Sequence, residues 1–112
     1  MQYARALHFS CIFVDPGDPT NKIVITAGGL NVVKKVDIFL KRKSQSFHDL
    51  DTVERFDFSK GVWDIFNAKL SIPRHQASIC ELKGFLYVIG GHKVELPNEF
   101  ISSIERCHVK CH

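Results

Sequence analysis

No apolar run in this chain approaches the roughly 18 residues that a membrane-crossing helix needs, so no helical anchor is expected within it. Cysteine is sparse: Cys11, Cys80, Cys107 and Cys111 are the only four in 112 residues. Cys11 and Cys80 stand alone inside apolar stretches, where a free thiol behaves as a small hydrophobe. That density does not build a disulfide-stapled scaffold; it fits a reducing compartment, and a cytoplasmic location is expected. The apolar stretch from Ala6 to Val14 is interrupted by His8 and Ser10, and no small-x-small cleavage site follows it. A secretory leader is therefore not expected. Charge of one sign is also scarce, since 15 Lys and Arg face 12 Asp and Glu. The one basic cluster is Lys34, Lys35, Lys41, Arg42 and Lys43, where Val36, Ile38 and Leu40 alternate with charged or polar neighbours. A solvated strand pair explains that pattern better than a nuclear-targeting or nucleic-acid patch, because no phosphate cradle or nucleic-acid module accompanies it. Neither nucleic acid nor membrane is expected as a partner.

Motifs of catalysis are missing as well. There is no G-x-S-x-G elbow, Walker loop, H-E-x-x-H or C-x-x-C pair, so no enzymatic activity and no cofactor are expected. Asp15 and Asp18 flank Gly17 between two prolines and read as turn chemistry. The sharpest metal candidate is the C-terminal run Cys107-His108-Val109-Lys110-Cys111-His112. Its cysteine spacing is one residue too long for c-type haem attachment. Strand alternation would put Cys107 and Cys111 on one face and both histidines on the other, whereas zinc needs four converging ligands. The expectation is that no metal binds.

What the sequence does contain is turns and short apolar runs, the pattern of an all-β chain. Strands are expected at about 7–14, 22–28, 35–40, 46–48, 53–58, 62–66, 76–82, 85–89 and 103–109. Turns are marked by Asp15-Pro16-Gly17-Asp18-Pro19, Ser59-Lys60-Gly61 and Lys83-Gly84. Asp51-Thr52-Val53-Glu54 also fits a helix capping box, with Leu50, Val53 and Phe56 three apart. The alternation of Phe56 and Phe58 favours a strand there. Phe85, Tyr87 and Ile89 point one way while Leu86 and Val88 point the other; Ile23 and Ile25 likewise oppose Val24. Strands apolar on both faces must be covered on both faces, and no amphipathic helix is present to do it. Sheets must stack on sheets, as in a sandwich or a propeller.

Internal similarity selects between the two. Ile23-Val24-Ile25-Thr26-Ala27-Gly28-Gly29 recurs as Phe85-Leu86-Tyr87-Val88-Ile89-Gly90-Gly91, and Val36-Asp37-Ile38-Phe39 with Phe47 echoes Val53-Glu54-Arg55-Phe56 with Trp63. A recurrence of this kind marks a repeat architecture. Residues 52–91 resemble a kelch repeat in the order of their features: Thr52-Val53-Glu54-Arg55-Phe56-Asp57, Trp63, Pro73-Arg74, then Tyr87-Val88-Ile89-Gly90-Gly91. The resemblance implies an incomplete kelch-type β-propeller built of four-stranded antiparallel blades. An eroded blade is expected over 1–50 and a second repeat over 51–112. Gly28, Gly29, Gly90, Gly91, Trp63 and Tyr87 would be structural markers of the repeat, with the aromatic rings packed between blades.

The glycine pairs at 28–29 and 90–91 are further apart than a kelch period of about 50 residues. Either residues 30–51 contain an insertion, or an inner hairpin is missing between Leu50 and Asp51; the shared aromatic marks favour the missing hairpin slightly. About two blades fall short of the four to eight that close a ring, so open blade faces and self-association are expected. The resemblance implies a protein-binding scaffold, such as a ubiquitin-ligase substrate adaptor or a cytoskeletal binder. Alternatives are a fragment of a kelch-propeller oxidase or sugar epimerase, or a truncated remnant without a function of its own. Partner-facing loops would run from Leu30 to Lys34, Lys69 to His75 and His92 to Glu99. Arg74, His75, His92, Lys93, Asn98 and Glu99 are the candidate contacts.

Overall fold

The computed structural model describes residues 1, 4–37 and 42–110, with the backbone alone for 32–37 and 42–45. Among the described residues the chain is all-β, with nine strands and no helix: β1 Phe9–Asp15, β2 Asp18–Ala27, β3 Leu30–Asp37, β4 Arg42–Asp49, β5 Val53–Asp57, β6 Val62–Ile65, β7 Ser78–Leu82, β8 Phe85–Ile89 and β9 Ile104–His108. They form three antiparallel sheets: a four-stranded one in the order β1-β2-β5-β6, a two-stranded ribbon β3-β4, and a three-stranded one β7-β8-β9. No sheet closes on itself.

Local chemistry explains the turns. Lys83 and Gly84 both have positive φ, at 51° and 83°, the backbone of the tight turn that matches strand twist between β7 and β8. At the β5–β6 turn, the Asp57 carboxylate accepts hydrogen bonds from Asn21 Nδ2 (2.8 Å), Ser59 Oγ (2.6 Å) and the Ser59 amide (2.9 Å). Val53–Asp57 is thus a strand, not the helix its capping-box pattern permits, because Val53 is covered by the core and the segment pairs with β2.

β2 and β5 are direct neighbours, paired from Ile23↔Asp57 to Ala27↔Val53. The β3–β4 ribbon lies between them in the chain but outside their sheet, so it is an insertion. This corrects the preference for a missing hairpin; similar aromatic spacing in the ribbon and in β5–β6 had made them look like successive copies. The first sheet draws strands from both sides of residue 50, and a boundary there is no sheet boundary. Ile38, Phe39 and Leu40, expected to continue a strand, lie outside the described residues.

The core sits between the two larger sheets. Phe9, Phe13, Ile23, Ile25, Ala27 and Val53 of the first face Leu86, Val88 and Val109 of the second, with Phe66 and Leu70 from the connecting segment. Each large apolar side chain buried this way contributes about 2 kcal/mol. β1 lies beside β7, so the first strands of the two sheets are the ones in contact.

The two larger sheets share a hydrogen-bonding pattern. Arg5 donates from Nη1 to the carbonyls of Gly28 (2.8 Å) and Thr52 (3.1 Å), and from Nη2 to Thr52 Oγ1 (3.1 Å) and Glu54 Oε2 (2.7 Å). Arg74 donates from Nη1 to the carbonyls of Gly90 (2.7 Å) and Ser103 (3.1 Å), and from Nη2 to Ser103 Oγ (3.0 Å) and Glu105 Oε2 (2.6 Å). These four bonds of each arginine correspond, and Arg74 adds one from Nε to the Ile72 carbonyl (3.4 Å). Two residues past each arginine, Leu7 and Gln76 take the same positive φ, 54° and 51°. The Leu50 amide bonds the Gly29 carbonyl at 2.9 Å just as the Ile101 amide bonds that of Gly91.

Candidate protein-binding surface

All connections from β2 to β5, from β6 to β7 and from β8 to β9 leave the sheets at one end. The doubled glycines hold that end together. Gly28 has φ +59°, and a Cβ there would lie 2.5 Å from the Arg74 carbonyl oxygen and 2.6 Å from the Phe9 ring. Only a residue without a side chain permits the approach. Gly91 is confined in the same way, 2.8 Å from the His75 carbonyl oxygen, whereas Gly90 has room. His75 and His92 exchange backbone hydrogen bonds at 3.0 and 2.9 Å, which brings the loop starting at His92 against the segment that enters β7.

The Asp49 carboxylate, at the end of the ribbon, ties these parts to each other. One oxygen lies 2.7 Å from His75 Nδ1 and the other accepts the Val94 amide at 2.7 Å. The ionised carboxylate accepts, so the imidazole donates from Nδ1. The His92 ring stands between His75 (5.9 Å between centroids) and Phe100 (4.7 Å). Phe100 is 79% exposed and Phe47 46%. Between ribbon and loop runs an open groove of about 340 Å³, walled by Phe47, His75, His92, Lys93, Val94 and Pro97 among others. A second hollow of about 200 Å³ lies across Phe47 and Lys93, against His48, Asp49, Pro73 and Glu95. Exposed aromatic rings beside a cation and hydrogen-bonding groups suit capture of a peptide segment.

The six expected contacts divide. His75, His92 and Lys93 come together at the groove. Asn98 and Glu99 are exposed further along the same loop. Arg74 is fully buried and faces no partner: its guanidinium is consumed within the second sheet, as the Pro-Arg pair alone did not reveal. Burial pushes the Glu105 carboxyl up, but hydrogen bonds from the Ser71 amide and hydroxyl, the Ile72 amide and Arg74 outweigh it and hold it below the usual range. Trp63 is half-buried against Phe56 at 5.2 Å, and Tyr87 is half-buried on the second sheet. Asp49, Phe47 and Phe100 complete the surface. The sequence signal for Phe100 was a lone aromatic in a polar loop; Asp49 carried none.

At the C-terminal cluster, Cys107 packs against the inter-sheet core and His108 lies edge-on to Phe85 at 5.2 Å. Cys111 and His112 lie outside the described residues. Among the described residues no three His, Cys, Asp or Glu side chains converge as metal ligands, and no helix is long and apolar enough to cross a membrane.

No protein-family model matches the chain. Over 61 residues it is 38% identical to the Kelch-like ECH-associated protein 1A of Danio rerio, a stretch that covers 54% of this chain and 10% of that relative. The chain thus spans a small part of the relative, and the similarity points to kelch-repeat relatedness.

Proposed function

We propose that the chain is a kelch-type protein-interaction module, in which two propeller blades, the first carrying an inserted ribbon, present a shared loop end to a protein partner. The observation that carries this reading is the groove between Phe47 and the His75–His92–Lys93 corner. A partner segment suited to it brings an apolar side chain to Phe47 and Val94 and a carboxylate to Lys93. The kelch-like match supports binding, rather than catalysis, as the role. In a cytoplasmic setting such a module serves as a substrate adaptor of a ubiquitin ligase or as a cytoskeletal binder; an adjoining BTB-type domain in the coding sequence would select the first. The test is partner capture by the chain and by a Phe47→Ala/Lys93→Glu variant of unchanged far-UV circular dichroism. Loss of the wild-type partners is expected. Retention of all of them removes the groove from the assignment.

A further inference from the structure

Among the described residues, β3 and β4 contact each other and no other strand. The ribbon is an internal insertion between β2 and β5, and it leaves the loop end of the first sheet rather than a sheet face. It is tied at its base, where Leu30 bonds to Ala6 and Asp49 bonds to His75 and Val94. A two-stranded ribbon without a packed face is marginally stable in water, so a partner laid along it stabilises it.

Charge is concentrated on this element. Residues 31–48 hold five cations, Lys34, Lys35, Lys41, Arg42 and Lys43, against the single carboxylate of Asp37. Of the 15 Lys and Arg and 12 Asp and Glu in the chain, ten and eleven remain for everything else. The ribbon therefore accounts for the whole positive excess. The shorter loop that takes its place in the second sheet, from Gly90 to Ser103, has Lys93 against Glu95 and Glu99.

The strand register orders these charges. Lys34 pairs with Gln45, Lys35 with Ser44, Lys43 with Val36 and Arg42 with Asp37, so four consecutive rungs carry one cation each. At about 3.4 Å per rung they span about 10 Å, close to the Debye length at about 0.1 M salt, and act on an anion as one field. The four rungs nearer the sheets, from Leu30 with Asp49 to Val33 with Ser46, carry no Lys or Arg. Among them Val32 pairs with Phe47, which walls the groove. The cationic rungs thus stand two to five rungs beyond Phe47. An extended peptide has the same rise per residue as the ribbon, so residues two to five places from an anchor at Phe47 fall beside them.

Carboxylates decide between a peptide and a nucleic acid. Asp49 and Glu95 line the hollow at the ribbon base, and Asp37 stands at its far rung. A nucleic-acid backbone is charged at every residue and meets all three, whereas a peptide can set its charges beside the cations alone. We infer that the ribbon recognises an acidic peptide, which seats an apolar side chain in the groove at Phe47 and places carboxylates two to five residues away along the cationic rungs. This rests on the protein-binding reading above and adds the sign, number and spacing of the charges that the partner brings.

Fluorescence anisotropy of the 112-residue chain with labelled peptides tests it. The probe is Leu-Ala-Glu-Glu-Glu-Glu, made in both orders, with glutamine in place of glutamate as the control. At about 50 mM salt the glutamate peptide is expected to bind about tenfold or more tightly than the control, and the difference is expected to shrink at about 500 mM. A Lys35→Glu/Lys43→Glu variant of unchanged circular dichroism is expected to lose the preference. Lys34→Glu/Arg42→Glu replaces it if that variant does not fold. Phe47→Ala is expected to weaken binding of both peptides while the preference for glutamate remains. Equal binding of the two peptides, no binding of either up to about 1 mM, or a preference that survives charge reversal would each overturn the inference. Displacement of the peptide by a short DNA duplex at a lower concentration than by unlabelled peptide would overturn it in favour of nucleic acid. Dependence on leucine and Phe47 without preference for glutamate would overturn the ribbon's role and leave the groove reading standing; preference for glutamate without that dependence would overturn the groove reading and the spacing with it.

Discussion

Replacing Arg74 with methionine keeps most of the side-chain volume and removes a guanidinium with no exposure to solvent. Two carbonyls, one hydroxyl and one carboxylate lose this donor, and the Ile72 carbonyl loses a long bond of 3.4 Å from Nε. Breaking one side of a buried ion pair costs about 3–5 kcal/mol. Glu105 retains the Ser71 and Ile72 amides as donors and 18% of its side-chain surface, which places its share at the low end. The orphaned carbonyls add about 1 kcal/mol each, and apolar contacts of methionine offset part of that. The net loss is about 3–4 kcal/mol, or about 15 °C in Tm for a chain of this size. Urea unfolding followed by Trp63 fluorescence and far-UV circular dichroism measures it. Arg74→Lys, which keeps the charge without the planar fork, falls between the two.

The same substitution at Arg5 doubles the test. Its ion pair with Glu54 has 0% exposure on both side chains, so Arg5→Met is expected to cost at least as much. A loss under about 1 kcal/mol at either position would refute the clamp. A large loss at one arginine and almost none at the other would refute the equivalence of the two sheets.

Three further outcomes follow from local geometry. Gly28→Ala forces a Cβ into the Arg74 carbonyl and the Phe9 ring and is expected to cost about 3 kcal/mol, whereas Gly61→Ala, equally left-handed at φ +67° but with open space around it, costs about 1 kcal/mol in urea unfolding. Burial first, then the charges of Cys80 and Glu81, pushes the Cys11 thiol up to about 11; its alkylation by iodoacetamide at pH 8.5 is expected to run on the order of 100-fold slower than that of a free thiol, and the stability held by the neutral thiol is lost as pH rises from about 9 through 11. Hydrogen bonds from Ser59 and Asn21 hold the Asp57 carboxyl far below its usual range; its contribution is complete above about pH 4 and declines as pH falls below that, so Asp57→Ala is expected to flatten the acid limb of the urea midpoint against pH.

Much of the fold was legible from alternation. The run Phe85–Ile89 identifies a strand, and it is one, but only its Leu86 and Val88 face is buried. Phe85 and Tyr87 are half-buried and Ile89 is exposed, so the expected cover on both faces is not met among the described residues of this chain. The glycine pairs mark equivalent points because their backbone conformation repeats: φ is 59° and 94° in the first pair, 70° and 96° in the second. Sheet order was not legible, because the ribbon and the β5–β6 hairpin share an aromatic spacing while only one of them pairs with β2. Arg5 was missed as the partner of Arg74 since nothing flanking it repeats the Pro-Arg pair. At the candidate surface, His75, His92 and Lys93 were found through their place beside the repeat markers. Asp49 was not, since its role depends on the ribbon folding back over residues far away in the chain.

Why such a ribbon can be inserted without loss of the sheet is itself open to test. Its base is closed by backbone bonds from the Leu50 amide to Gly29 and from the Gly28 amide to Thr52, and the Ile101–Gly91 bond closes the shorter loop of the second sheet in the same way. Leu30 is further bonded to Ala6, and Asp49 to His75 and Val94; the stretch between Leu30 and Asp49 can vary in length at small entropic cost. Replacing residues 31–48 with a short Gly-Ser linker, while Leu30 and Asp49 are kept, is expected to change unfolding free energy by less than about 1 kcal/mol, because loop-closure entropy varies only logarithmically with length. The same change removes Phe47 and with it one wall of the groove, so partner capture is expected to disappear from a chain that still folds. A variant that unfolds would show that the ribbon belongs to the cooperative unit; a variant that folds and still captures every partner would move the binding surface elsewhere.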